Sequence, residues 1–172
     1  MLKKEMAELL NQQLNLEFHS SNLYLQMAAW CDDNGFPGSA KFLEIHAEEE
    51  MTHMKRFFNY IRESGTMPII GQVDAAKHEF SSLKEVFEDT LAHERIITES
   101  INKIAKLAFE SSDMQTFGFM QYFLNEQHEE ESTFSGIIDR MNVLGDDGKA
   151  QFMFDESMAK EASTKKVEPI KK

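Results

Sequence analysis

Basic side chains are in short supply in this chain: 18 lysines and arginines stand against 30 aspartates and glutamates, a formal charge of −12 over 172 residues. That balance argues against nucleic acid or an anionic membrane as partner and favours cations. Cysteine is nearly absent. Cys31 is alone, so no disulfide forms within the chain and no cluster of soft thiolate ligands is available to a metal. Its place in a helical stripe reads as a buried structural thiol in a reducing compartment. Two further absences concern membranes. No apolar run approaches the eighteen residues of a span, and the start of the chain lacks a basic segment followed by an apolar stretch. The expected location is the cytoplasm.

What is present is enough for one sizeable core: fourteen Phe and eleven Met in a length that suits a single domain, expected over residues 1–162. Four seams carry the helical period. Leu10, Leu14, Glu17, Ser21, Tyr24, Ala28 and Cys31 alternate steps of three and four, as do Leu43, Ala47, Glu50, Met54, Phe57 and Ile61. Leu83, Phe87, Thr90, Glu94, Ile97, Ile101, Ile104 and Ala108 form the third, and Met120, Phe123, Gln127, Glu130, Phe134, Ile137 and Met141 the fourth. Each seam is polar only near its middle.

The punctuation between seams predicts helices over residues 3–33 and 39–64, separated by Gly35, Pro37 and Gly38. Residues 66–81 carry Pro68 and Gly71, show no helical stripe, and are long enough to cross the length of a bundle. A single long connection in the middle implies two antiparallel hairpins joined by a crossover. The third helix opens with a capping box, Ser82 and Glu85. Ser112 or Asp113 caps the fourth, which runs to about residue 143. A shorter fifth helix is expected over residues 149–162. The lysine-rich remainder, 163–172, reads as disordered.

A carboxylate removed from water costs several kcal/mol unless it is paired, hydrogen-bonded or bound to metal. Glu17, Glu50, Glu94 and Glu130, with His53 one turn from Glu50, therefore need a shared counter-charge, and a pair of metal ions supplies it. Hard oxygen ligands with one imidazole suit a metal cycling between Fe(II) and Fe(III). The two halves repeat the plan: a helix with one Glu, then a helix with a pair three residues apart. The second pair is Gln127 and Glu130 where di-iron bundles in general offer Glu and His.

With these motifs, Asn15-Leu16-Glu17, His46-Ala47-Glu48-Glu49-Glu50-Met51-Thr52-His53, His93-Glu94 and Glu126-Gln127-His128-Glu129-Glu130, the chain resembles the bacterial non-haem ferritins from residue 1 to about 160. The resemblance implies an all-α, ferritin-like four-helix bundle with a long crossover and a short fifth helix, assembled as a shell of 24 subunits. It implies that Glu17, Glu50 and His53 hold one iron, that Glu50 bridges to a second completed by Glu94 and Glu130, and that Gln127 lies close by. Tyr24 matches a tyrosine beside the di-iron centre. Glu49, Glu126 and Glu129, with Glu130 shared, match a third iron site nearer the inner cavity. The implied activity is ferroxidase, with dioxygen or hydrogen peroxide as oxidant, storage of Fe(III) mineral, and no haem. A rival on the same bundle is a di-iron oxygenase or peroxidase that keeps its iron. For Glu49, Glu126 and Glu129 a solvated acidic face competes with ligation, and His46 reads as a structural histidine.

Overall fold

Each apolar seam becomes one long helix. In the computed structural model, which describes residues 2–165 and 167, these are α1 (Lys4–Asp33), α2 (Pro37–Glu63), α3 (Leu83–Glu110) and α4 (Met114–Leu144), followed by α5 (Gly148–Thr164). Strands do not occur among the described residues, and no helix there is long and apolar enough to cross a membrane. The boundaries lie within two residues of those expected from the glycines and caps. α1 packs along α2 and α3 along α4, so two hairpins face each other, with α5 laid mainly across α2.

Helix ends follow local chemistry. Gly35, at φ +83°, closes α1 by a Schellman turn in which Phe36 N–H donates to the Cys31 carbonyl and Gly35 N–H to that of Asp32. The α3–α4 turn makes the same pair of bonds around Ser112, at φ +56°, from Asp113 N–H to Ala108 and from Ser112 N–H to Phe109. A side chain is unfavourable in that left-handed region. Ser112→Gly is therefore expected to stabilise the chain by about 1 kcal/mol, measured as a higher denaturant midpoint. Asp113 is the cap of α4, accepting from Thr116 N–H at 3.1 Å. Ser82 caps α3 through Glu85 N–H, but the Glu85 carboxylate reaches Ser81 N–H at 2.6 Å, one residue earlier than a regular capping box.

The long connection between α2 and α3 lies along α1, pinned by two asparagines one turn apart. Asn11 Oδ1 accepts from Ile69 N–H at 2.6 Å and Asn15 Oδ1 from Gly71 N–H at 2.7 Å, while Asn15 Nδ2 donates to the Ile69 carbonyl at 2.9 Å. These bonds satisfy loop backbone that has no ladder of its own.

The fifth helix is fixed by a polar anchor. Asp155 turns its carboxylate onto the start of α2, accepting from Gly38 N–H at 2.9 Å, Ser39 N–H at 2.7 Å and Ser39 Oγ–H at 2.8 Å. Two free amides and the positive end of the helix dipole meet one buried negative charge. The approach demands glycine, since a Cβ at Gly38 would sit 2.1 Å from the Asp155 carbonyl oxygen. Asp155→Ala is expected to cost roughly 2–3 kcal/mol and to loosen α5, read as faster amide exchange in that helix with the bundle intact.

One expectation is corrected here. Residues 163–165 do not begin a disordered tail: Ser163 and Thr164 continue α5, and Lys165 folds onto α2 and α4, because its ammonium meets the Glu49 carboxylate at 2.6 Å. The rest of that expectation, at Lys166 and residues 168–172, lies outside the described residues.

Candidate metal centre

The apolar core is not continuous. One cluster packs Met6, Leu10 and Leu14 of α1 with Phe57, Ile61, Ile101, Ile104 and Phe123. The other packs Tyr24, Met27 and Cys31 with Phe42, Leu43, Phe87, Phe134 and Phe154. Each fully buried large side chain contributes roughly 1.5–3 kcal/mol. Burial pushes the Cys31 thiol up to about 12, which keeps it inert. Between the clusters each seam reaches its polar residues, and helix geometry stacks Glu17, Glu50, His53, Glu94, Gln127 and Glu130 in one layer, all buried.

Glu17, Glu50 and His53 come together with one ligand atom from each within 4.8 Å of the others. His53 Nδ1 is 3.4 Å from Glu50 Oε2 and 3.8 Å from Glu17 Oε2. Gln13 Nε2 donates to Glu17 Oε1 at 2.7 Å. Across the layer, the Tyr24 hydroxyl donates to Glu94 Oε1, and Gln127 Nε2 donates to Glu94 Oε2 at 2.8 Å. Tyr24 itself is fully buried, with the His93 ring 6.0 Å away edge-on and His93 Nε2 2.8 Å from Ser20 Oγ.

Three buried atoms of this layer, Glu17 Oε2, His53 Nε2 and Glu130 Oε2, have no hydrogen-bond partner. A buried carboxylate oxygen or imidazole nitrogen left without a partner is costly unless a ligand binds it. The electrostatics agree. Burial first, then the Glu50 charge, pushes the Glu17 carboxyl well above the carboxylate range; burial and Glu94 do the same to Glu50. Glu94 is pushed up to about 7 by burial and by Glu130. Burial also leads in driving the Tyr24 hydroxyl upward, with Glu94 next, so it stays a proton donor. Around Glu17, Glu50 and Glu94 negative charge is under-compensated, and a divalent cation bound there would reverse each of these shifts.

A second cluster lies beside the first. His46, Glu49 and Glu130 converge within 4.8 Å, as do Glu49, His53 and Glu126, so Glu49 and Glu130 link the buried layer to a hollow of about 410 Å³. Glu126 is half-buried and Glu129 is exposed on the hollow's rim, joining no close ligand group among the described residues. Burial pushes Glu126 upward. On Glu130 burial acts upward too, yet His46, Lys165 and His53 together outweigh it and hold the carboxyl down at about 2.

Three residues of these clusters escape a reading of the seams. Gln13 stands one turn before Glu17, a spacing that signals its hydrogen bond. His46 is structural through Nδ1, 2.9 Å from the Phe42 carbonyl, and at the same time presents Nε2 to the second cluster. Lys165 brings a positive charge from the far end of the chain, 2.7 Å from His46 Nε2. Nothing in the local sequence signals that contact.

Comparison with known proteins agrees with this architecture. Residues 7–144 match the family model described as "Ferritin-like domain". A Haemophilus influenzae protein named "Probable bacterial non-heme ferritin-like protein" is 51% identical over 158 residues, covering 92% of this chain and 96% of its own. The "Bacterial non-heme ferritin" of Escherichia coli O6:H1 is 46% identical over 159 residues, with 92% and 96% covered. That of Campylobacter jejuni is 39% identical over 166 residues, with 96% and 99% covered. Among solved structures, a humanized archaeal ferritin superposes with a TM-score of 0.92 at 27% identity over 98% of this chain and all of its own. An open-pore ferritin from Archaeoglobus fulgidus gives 0.90 at 29%, covering 92% and 98%. On the matched domain, the near-complete coverage and the shared bundle, the chain belongs to the ferritin family, among the bacterial non-haem ferritins.

Proposed function

We propose that this protein stores iron: it oxidises Fe(II) at the buried layer, with dioxygen or hydrogen peroxide as acceptor, and deposits the Fe(III) as mineral inside a 24-subunit cytoplasmic shell. The observation that carries this reading is the convergence of Glu17, Glu50 and His53, with a buried Glu17 oxygen that no hydrogen bond satisfies. The names of the relatives support storage as the end of the reaction.

In this reading Glu17, Glu50 and His53 hold one Fe(II), and Glu50 reaches toward a second held by Glu94 and Glu130. Gln13 and Gln127 aim their carboxylates by hydrogen bonds of 2.7 and 2.8 Å, so the ligands are oriented before iron arrives. Carboxylates change their mode of coordination easily, which suits a site that must release its oxidised product. Glu49 and Glu126, with Glu130 shared and Glu129 at the rim, would make a third site facing the hollow and offer the ion a path away from the buried layer.

Tyr24 fixes the Glu94 carboxylate with its hydroxyl and lies within electron-transfer reach of the iron pair. Tyr24→Phe is expected to leave two divalent ions bound per chain while slowing oxidation several-fold, checked by dialysis equilibrium with Zn(II) beside stopped-flow Fe(II) oxidation.

The deciding experiment loads the apoprotein with Fe(II) without oxygen, admits air, and follows protein and iron together on size exclusion. Iron travelling with a particle of roughly half a megadalton, as 24 chains of 19.9 kDa require, supports storage. Two firmly retained ions on a small oligomer would assign the chain to the di-iron oxygenases or peroxidases instead.

A further inference from the structure

The second cluster already contains a cation. Lys165 Nζ lies 2.6 Å from Glu49 Oε2, 2.7 Å from His46 Nε2 and 3.4 Å from Glu130 Oε1. The contact with Glu49 is an ion pair in an off-line geometry, so that Oε2 still lacks a proper hydrogen bond, as does Glu130 Oε2. These three side chains are the ones whose ligand atoms converge within 4.8 Å as a set for one metal ion. In the neutral ring, donation from His46 Nδ1 to the Phe42 carbonyl at 2.9 Å leaves the Nε2 lone pair pointing into the cluster. The 3.5 Å from His46 Nε2 to Glu130 Oε2 is too long for a hydrogen bond, so the imidazole offers that lone pair to whatever cation sits between.

We propose that the Lys165 ammonium is a tethered occupant of this cluster, a built-in cation that an incoming metal ion must displace. The inference rests on the metal-storing reading above. One ammonium takes an imidazole nitrogen and two carboxylate oxygens, the donor set a divalent ion would use, and two cations do not share a space of that size. The tether is anchored nearby: Arg140 of α4 pairs with Glu161, one turn before Lys165, and Asp155 holds α5 on α2. The side chain itself remains free to withdraw, being 25% exposed toward the hollow.

Two consequences follow for the cluster. Without metal, the ammonium compensates two largely buried carboxylates and keeps the end of α5 docked. When metal binds, the chain end is released, so the third ion binds more weakly than the first two and its binding is coupled to the position of residue 165.

The test titrates redox-inert Zn(II) into the assembled apoprotein and counts bound ions by equilibrium dialysis. The parent and Lys165→Met should both take two ions tightly per chain, and the variant should bind a third on the order of tenfold more tightly. Lys165→Arg, which keeps the charge, should behave as the parent. A second readout needs no variant: acetic anhydride should modify Lys165 slowly in the apoprotein and several-fold faster after saturation with Zn(II), as read by mass spectrometry. A third affinity unchanged or weakened in Lys165→Met, or acetylation indifferent to Zn(II), overturns the proposal. Loss of the first two ions in the parent would overturn the metal-storing reading itself, so the two failures are distinct.

Discussion

Glu94→Gln is expected to resist urea better than the parent at pH 8 and to oxidise Fe(II) on the order of a hundredfold more slowly, since losing a ligand costs at least what losing a ligand's partner does. The gain in stability comes from the cost of a buried charge. Glu94 has its carboxyl pushed up to about 7 by burial and by Glu130, so above neutrality the folded apoprotein carries an anion with no cation beside it. An amide of the same shape removes that charge, and the Gln127 amide can turn to offer its oxygen to the new NH₂ group. The difference should be a few kcal/mol at pH 8 and should shrink toward nothing at pH 5, where Glu94 is protonated in the folded state. The loss of rate follows from the same substitution, because a neutral amide is a poor ligand for iron. Equal urea midpoints at pH 8, or oxidation at the parent rate, would remove Glu94 from the site.

Zinc should have the opposite effect on the parent: Zn(II) in large excess over its dissociation constant is expected to raise the apoprotein's stability by about 4 kcal/mol, more at pH 8 than at pH 5.5. Glu17, Glu50 and Glu94 all have folded-state values above the ordinary carboxylate range. A raised group binds more protons folded than unfolded, so its contribution to stability is complete below the unfolded value and is lost as pH rises through the folded one, about 7 for Glu94. Glu130, held at about 2, works with the other sign, and its contribution is lost only as pH falls toward that value. The metal-free protein should therefore weaken from pH 5 to pH 8, and bound Zn(II), which competes with protons for the same oxygens, should flatten that slope. Urea midpoints at a series of pH values, with and without Zn(II), decide the matter; a metal-free protein that strengthens over this range would contradict the assignment of these three acids.

Most of the bundle was legible because periodicity is a local signal. The step of three and four in α1 announced both the buried face and the one charge within it, and Glu17 lies in the polar layer where that spacing puts it. The same held for Glu50, Glu94 and Glu130. Glu129 was placed on the third site by resemblance alone, and it stands exposed on the rim of the hollow. The seam of α4 shows why: Gln127, Glu130 and Phe134 define the inward face, and Glu129 points off it. Lys165 was not legible at all. Its neighbours in sequence have the composition of a disordered tail, and its position follows from the contact between Asp155 and Gly38, which joins residues 117 apart. The Ser81 bond of Glu85 was missed for a smaller reason, since the motif gives the spacing of a cap but not which of two adjacent serines the carboxylate will reach.

The division of the core into two apolar halves with a polar waist separates the packing that holds the protein together from the acids proposed to hold iron. Were the acids placed in the largest apolar cluster, each departing ion would unlock the packing around it, and every cycle would risk the fold. Here the ends of the four helices are clamped by side chains such as Leu10, Ile61 and Ile104 at one end and Leu43, Phe87 and Phe154 at the other, none of them a proposed ligand, so an ion entering or leaving the waist would leave that packing in place.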